Sequence, residues 1–459
     1  MLAADAAALS LVEAELDKRW PSTKIEPSLW RIAALMDRIG APQESFPSIH
    51  VAGTNGKTTV TRMIDALLTA LDLRTGRTTS PHLQLVTERI SIAGKPIAPR
   101  VFADTYRELL PDVEVIDGLS LAAGGPAMSQ FEVLTAMAFA AFATASVDVG
   151  VIEVGLGGGW DATNVVDSRV AVITPIDIDH VDYLGDDLAG IAAEKAGIIK
   201  RSAPIGATAV IAEQQSVAGD VLLRRAVEAD VTVAREGVDF ALADRMAVDG
   251  GQLLTLRGIC GAYDGVFLPL HGAHQAHNAA VALAAVEAFV GAGTPSQLDV
   301  DAVRQGFGSV RSPGRLECVG SAPAVVLDAA HNPSGARTLA GSLCTELPFG
   351  SVVGVVSMMR DKDVGGILAA LEPVLDEVVV TTNDSPRAME VADLYDLAVT
   401  VFGDQRVAAV ASLPEALDTA VAAAKKLAGP ARLVRAAVVV TGSVVTAGAA
   451  RTLLGLEPA

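Results

Sequence analysis

Aromatic residues make up only 4% of this 459-residue chain, although hydrophobic residues reach 51%. The interior therefore has to be built from Ala, Val, Leu and Ile, the composition of buried sheets covered by helices. Cysteine is also scarce. Cys260, Cys318 and Cys344 lie far apart, which offers no zinc site and suits a reducing cytosol. Basic residues are in deficit, with 35 Lys and Arg against 54 Asp and Glu and a net charge of -19. That balance argues against a general nucleic-acid or anionic-membrane binder, while local positive clusters remain free to hold a nucleotide. No apolar run is long enough to span a bilayer. The most membrane-like stretch, 133–147, is Ala-rich and closed by Glu132 and Asp148, so a buried helix is expected. Met1 is followed by alanines and acids instead of a basic and then apolar signal, and a cytoplasmic location is expected. Internal repeats and low-complexity tracts are missing as well.

What is present begins with Pro47-Ser-Ile-His-Val-Ala-Gly-Thr-Asn-Gly-Lys-Thr-Thr59. Ile49 and Val51 alternate as in a strand, a glycine-bearing turn follows, and Met63, Ile64, Leu67, Leu68 and Leu71 recur at helical spacing. Strand, turn and helix in that order form a phosphate cradle. Turn amides from Thr54, Asn55 and Gly56 face the anion, Lys57 reaches the β- and γ-phosphates, and the Thr58 hydroxyl is placed to ligate Mg²⁺.

Two further clusters carry chemistry. In Gly150-Val-Ile-Glu-Val-Gly-Leu-Gly-Gly-Gly-Trp-Asp-Ala-Thr-Asn164 an apolar strand contains a lone acid, Glu153. A carboxylate there is costly unless paired; it either holds the Mg²⁺ at a strand's carboxyl end or pairs with a buried Arg or Lys. The loop's glycines do not follow a dinucleotide fingerprint. The run Thr174-Pro-Ile-Asp-Ile-Asp-His-Val-Asp182 then brings Asp177, Asp179, His180 and Asp182 together. His180 is a candidate ligand for a divalent ion, with an ordinary loop histidine as the alternative. Lys195 and Lys200 read as solvated helix charges.

Strand-like runs at 48–52, 149–154, 170–175 and 205–211 alternate with helical segments, the pattern of a largely parallel α/β sheet. Glycine-separated alternating pieces in 240–270 predict hairpins on the edge of that domain, and a helix is expected over 277–290. The charged, turn-rich stretch 309–315 reads as a hinge. Strands near 324–327, 352–356, 377–381 and 436–441 make a second, smaller α/β domain. The expected division is 1–308, a linker at 309–315, and 316–459.

These segments, with Thr79-Ser-Pro-His-Leu83, Gln130-Phe-Glu132, Glu194-Lys-Ala-Gly-Ile198, His277-Asn278, Pro313-Gly-Arg-Leu-Glu317 and Asp328-Ala-Ala-His-Asn-Pro333, resemble the Mur ligase superfamily, and within it the folylpolyglutamate synthase and dihydrofolate synthase branch. The motifs run in order over almost the whole chain. The resemblance implies a P-loop ATPase-like N-terminal domain with a mostly parallel sheet and a smaller Rossmann-like C-terminal domain. It implies ATP-dependent addition of L-glutamate to tetrahydrofolate and to dihydropteroate through an acyl phosphate, by a monomer acting on small molecules.

The same resemblance implies site roles. Glu153, Ser80 and the phosphate-loop hydroxyl would hold one Mg²⁺; His180 and a carbamylated Lys195 would hold a second, with K⁺ as a further ion. Asn278, Arg315, Asp328 and His331 would contact ATP. Ser129, Gln130, Phe131, Glu132, Trp160, Asp161 and Ala162 would face the pteroate, and Lys362, Arg387 and Ser443 the glutamate. One departure stands out: Gly56-Lys57-Thr58-Thr59 replaces the folate branch's usual Gly-Lys-Gly-Ser. It leaves the ligating hydroxyl open between Thr58 and Thr59. It also keeps a cell-wall Mur ligase as the alternative, against which stand the Thr-Ser-Pro-His-Leu run and a phosphate loop beginning near residue 53. A nucleotide-switch protein and a non-catalytic binder are the readings from other classes.

Overall fold

The computed structural model describes residues 3–19, 26, 28–201, 206–291, 296–320, 322–347, 349–428 and 436–458. Its first sheet is built from β1 (Ser48–Ala52), β2 (Thr75–Thr78), β3 (Ile90–Ile92), β4 (Lys95–Pro96), β5 (Val149–Glu153), β6 (Val170–Ile173), β7 (Thr208–Ile211) and β8 (Thr232–Arg235), in the order β4-β3-β2-β5-β1-β6-β7-β8. Apart from the β2-β3 and β3-β4 pairs, these neighbours are parallel. Val- and Ile-rich strands suit such a sheet because both faces are covered. The beginning of the candidate strand at 205 lies outside the described residues.

One face of the sheet packs on the helices Lys57–Ala70 and Ala273–Val290, whose Val60, Met63, Ile64, Leu67 and Leu283 are fully buried. From Ala279 on, helix Ala273–Val290 is mostly Ala and Val, and every residue from Asn278 to Glu287 is buried, so this part of it is enclosed. What encloses it corrects the hairpin expectation. β9 (Ala241–Val248), β10 (Gly251–Arg257) and β11 (Ala262–Leu268) form a separate antiparallel sheet, instead of extending the edge of the first. Leu254, Leu256, Tyr263 and Val266 of this sheet join the same core, and the sheet covers helices Ala273–Val290 and Val300–Gly308 from outside. The opposite face of the main sheet carries helix Gln130–Thr144, the Ala-rich stretch read as buried. Among the described residues no helix is long and apolar enough to cross a membrane.

From Ser309 to Leu316 the chain has neither helix nor strand. A six-stranded sheet follows: β12 (Glu317–Val319), β13 (Ala324–Leu327), β14 (Ser351–Val356), β15 (Glu377–Val380), β16 (Val407–Ala409) and β17 (Ala436–Thr441), ordered β12-β13-β17-β14-β15-β16 and parallel except at β12. Strand ends of both sheets open onto one cleft of about 1070 Å³, the place where ligands collect in α/β folds.

Candidate active site

The phosphate end is set by β1, buried throughout, and by the glycines that end it. Gly53 and Gly56 have φ of 143° and 88°, and a Cβ on Gly56 would lie 2.7 Å from Asn278 Oδ1. Only glycine lets the turn pass that close to the neighbouring helix. Helix Lys57–Ala70 starts directly after, its first amides free for an anion, whereas the Thr54 and Asn55 amides, expected to face it too, donate to the Pro175 carbonyl at 3.0 and 3.3 Å. Lys57 Nζ donates to the Gly53 and Thr54 carbonyls at 3.1 and 3.2 Å. Burial holds its pKa below the usual lysine range; Glu153 and Asp179 oppose that shift, and Arg315 and Lys362 add to it.

Thr58 Oγ1 donates to Glu153 Oε1 at 2.8 Å, and the Ser80 amide donates to Oε2 at 3.2 Å. Thr59 instead shares a 2.9 Å hydrogen bond with Ser312 in the linker. Of the two hydroxyls, Thr58 is therefore the one beside the carboxylate. Burial pushes the Glu153 pKa up against the pull of Lys57, of the Thr58 and Ser80 hydrogen bonds, and of Arg315. A charge at Glu153 is thus penalised in the protein alone, the state that a bound cation relieves.

Lys195 is not a solvated charge. It ends helix Leu188–Lys195, is 4% exposed, and donates to the Gly53 carbonyl at 2.9 Å. Burial lowers its pKa to about 7, helped by Lys57 and opposed by Asp179, Asp161 and Glu194. Lys200 also turns inward, to the Asn164 and Val166 carbonyls at 2.9 and 2.8 Å. His180, with φ 54°, shares a small recess with Lys57, Asp179 and Lys195. Its side chain is 40% exposed, yet partial desolvation in the recess, with Lys362, Lys57 and His331 and against Asp179, lowers its pKa and favours the neutral ring.

Across the cleft, the Asp328 oxygens accept the Leu316 and Ala330 amides at 2.8 and 2.9 Å. They fix the linker's exit and with it Arg315, which lines the cleft. His331 Nδ1 donates to the Ala329 carbonyl at 2.9 Å, which leaves Nε2 as the acceptor in the neutral ring. Burial lowers the His331 pKa to about 4 despite Asp179. The two halves meet at Asp179. Lys362 Nζ donates to Oδ1 at 2.7 Å and Asn332 Nδ2 to Oδ2 at 2.9 Å, with His331 Nε2 at 3.7 Å from Oδ2. Burial would raise the Asp179 pKa, but His180, His331 and Lys362 hold it well below the carboxylate range. Asn55 joins the same seam, donating to Ser334 at 3.2 Å.

Apart from Gln130 and Lys195, every candidate residue lines the one cleft. Gln130 is a correction: it is half-buried, donates to Asp17 at 3.0 Å and is not among the residues lining the cleft. Ser129 and Glu132 line the cleft but are spent on the helix start as a reciprocal capping box, and Glu132 also pairs with buried Arg31 at 2.9 Å. Asp161 is likewise engaged, accepting from the Leu156 amide and from the Thr163 amide and hydroxyl. Phe131, Trp160 and Ala162 are left as the apolar wall of that end. Ser443 caps helix Val444–Leu453, and Arg387 is bonded to Asp361 at 3.0 Å. The residues that the motifs did not assign are Asp179, Asn332 and Arg31. The first two lie inside runs already singled out, and Arg31 had no local signal.

Compared with known proteins, the chain matches the Mur ligase middle domain over residues 117–286 and the Mur ligase glutamate ligase domain over 314–444. It is 60% identical over 464 residues to the dihydrofolate synthase/folylpolyglutamate synthase of Mycobacterium tuberculosis, covering 98% of this chain and 95% of that one. Its structure is similar to that of Mycobacterium tuberculosis folylpolyglutamate synthase complexed with ADP, with a TM-score of 0.95, 58% identity and coverage of 99% and 100%. It is also similar to E. coli FolC in complex with DHPP and ADP, with a TM-score of 0.81, 30% identity and 97% of each chain covered.

Proposed function

The chain belongs to the folylpolyglutamate synthase and dihydrofolate synthase branch of the Mur ligases, and from that premise we propose how its residues divide the work. It is an ATP-dependent ligase that joins L-glutamate to a folate through an amide bond. We take the same site to serve dihydropteroate. The observation that carries the assignment of roles is the convergence of Lys57, Thr58, Ser80 and Glu153 on one wall of a cleft whose other wall presents Arg315 and His331.

A carboxylate does not react with an amine until its oxygen is made a leaving group. In this reading the folate carboxylate takes the γ-phosphate of ATP, and the glutamate amine then displaces phosphate. Lys57 and Arg315 offset the negative charge that develops on the phosphoryl oxygens. His331 offers Nε2 as a proton acceptor in the cleft. Contacts on both sides of the linker let the two halves close over the reacting groups and keep water from the acyl phosphate.

Among the described residues no three His, Cys, Asp or Glu side chains form a ready-made metal site. Mg²⁺ commonly binds through one or two carboxylates together with substrate phosphates, and the donors here fit that mode. Glu153 and Thr58 would hold the ion, which supplies charge neutralisation at the phosphates. A second ion beside His180 requires an anionic partner. Lys195 fits when carbamylated, because an amine with a pKa of about 7 is partly neutral and adds carbon dioxide with loss of a proton. K⁺, the monomeric state, the cytoplasmic location and the exclusion of nucleic acid and membrane partners belong to the same proposal, as does the division at 309–315.

The test is phosphate release from MgATP and glutamate with tetrahydrofolate, dihydropteroate or a UDP-muramoyl peptide, with mass spectrometry of the products. One glutamyl unit gained on each pterin is expected. Release with the muramoyl peptide alone overturns the assignment, and release indifferent to acceptor favours a nucleotide switch.

A further inference from the structure

Asp179 stands where the two halves of the cleft meet, 9% exposed, with an ammonium group on one oxygen and an amide on the other. Lys362 comes from the second sheet's side and Asp179 from the loop after β6, so their 2.7 Å pair crosses the space between the sheets. A buried ion pair alone is weak support for a fold, because two desolvated charges recover little more than they lose. As a binding feature it has a clear complement. An α-amino acid carries a carboxylate and an ammonium on one carbon, and it can satisfy Lys362 with the first and Asp179 with the second.

Resting on the ligase reading above, we propose that Asp179 receives the α-ammonium of the incoming glutamate, and that the Asp179–Lys362 bond is exchanged on binding for one bond from each partner to the substrate. The exchange conserves charge. Two charge-assisted hydrogen bonds replace one, and Asn332 holds the carboxylate in place throughout. The pair also supplies selectivity. A dicarboxylate lacking the amine engages Lys362 but leaves Asp179 without its partner, a loss that a buried carboxylate feels strongly.

The experiment compares the full-length enzyme with Asp179→Asn and Lys362→Gln in three assays. These are the KM for glutamate, inhibition by 2-hydroxyglutarate, and trapping of the acyl phosphate as a hydroxamate from folate, MgATP and hydroxylamine. With Asp179→Asn the glutamate KM should rise about 10- to 100-fold, 2-hydroxyglutarate inhibition should hold or strengthen because no buried carboxylate then loses its ammonium partner, and hydroxamate yield should stay within about twofold. Lys362→Gln should weaken glutamate and 2-hydroxyglutarate together, and it keeps the proposal testable if the Asp179 variant does not fold. Equal weakening of both ligands by Asp179→Asn makes the pair a latch between the halves and overturns the proposal. So does a fall in hydroxamate yield, which assigns Asp179 to the phosphoryl step, and so does 2-hydroxyglutarate binding indifferent to Lys362→Gln. A failure of the unaltered enzyme to add glutamate overturns the ligase reading itself, a distinct result seen before any substitution.

Discussion

Lys57, Thr58, Ser80 and Glu153 all come from the first sheet and its loops, whereas Asp179 meets Lys362, Asn332 and His331 from the second. The hydrogen bonds among the phosphate-loop residues lie within one half of the molecule, with Arg315 and His331 facing them from the linker and the other half. The seam exists only when both halves are in place, and its bonds span more than a hundred residues. If the proposed roles hold, disturbing the contacts between the halves should cost amide formation more than nucleotide binding.

Glu153→Gln sharpens that contrast most. Gln keeps an acceptor for Thr58 but removes the charge, so turnover should fall about 10²- to 10³-fold. The melting temperature of the ligand-free protein should hold or rise, since burial disfavours the ionised form. A marked drop in melting temperature would instead make the carboxylate part of the fold. Gly448→Ala attacks a second contact between the halves, where helix Val444–Leu453 meets the loop after β2. A Cβ there would lie 1.8 Å from the Leu83 carbonyl, on the loop whose Gln84 bonds Arg451 at 2.9 Å. Overpacking of this kind costs about 1–3 kcal/mol, and ligation should fall about tenfold on that scale while ADP affinity, measured by calorimetry, is kept. Equal loss of ADP binding would erase the distinction between the two regions. A smaller effect is expected from pH. Turnover and a ¹³C-bicarbonate-derived carbamate signal should rise together between about pH 6 and pH 8 as Lys195 loses its proton, and Lys195→Ala should lack the signal. Gln130→Ala should change folate KM by less than about twofold, because its side chain is engaged with Asp17 outside the cleft; a larger rise would return it to the site.

The phosphate loop was readable because its strand, turn and helix are contiguous, and Glu153 because a lone acid in an apolar strand is visible without neighbours. Helical spacing alone reads Lys195 as a solvated charge, for a physical reason. Its burial comes from a distant glycine run, where a Cβ on Gly158 would meet the Glu194 carbonyl at 2.8 Å, and helical periodicity carries no trace of that contact. The Asp179–Lys362 pair lies beyond local reading altogether, at a separation of 183 residues. Glu132 is a different case. Ser129-Gln-Phe-Glu132 has capping-box spacing, a signal present in the sequence that assigns the acid to a helix start. The hairpins of 240–270 were legible as strands, but their alternation could not say which surface they cover.

Thr58 and Thr59 are neighbours on one helical turn, about 100° apart around its axis, and they grip different things: Glu153 on one side, Ser312 of the linker on the other. That helix is held in the core by Val60, Met63, Ile64 and Leu67, each fully buried. The start of the linker and the hydroxyl beside the carboxylate are therefore anchored to one rigid body, so the path into the second half and the aim of Thr58 are set in the same frame.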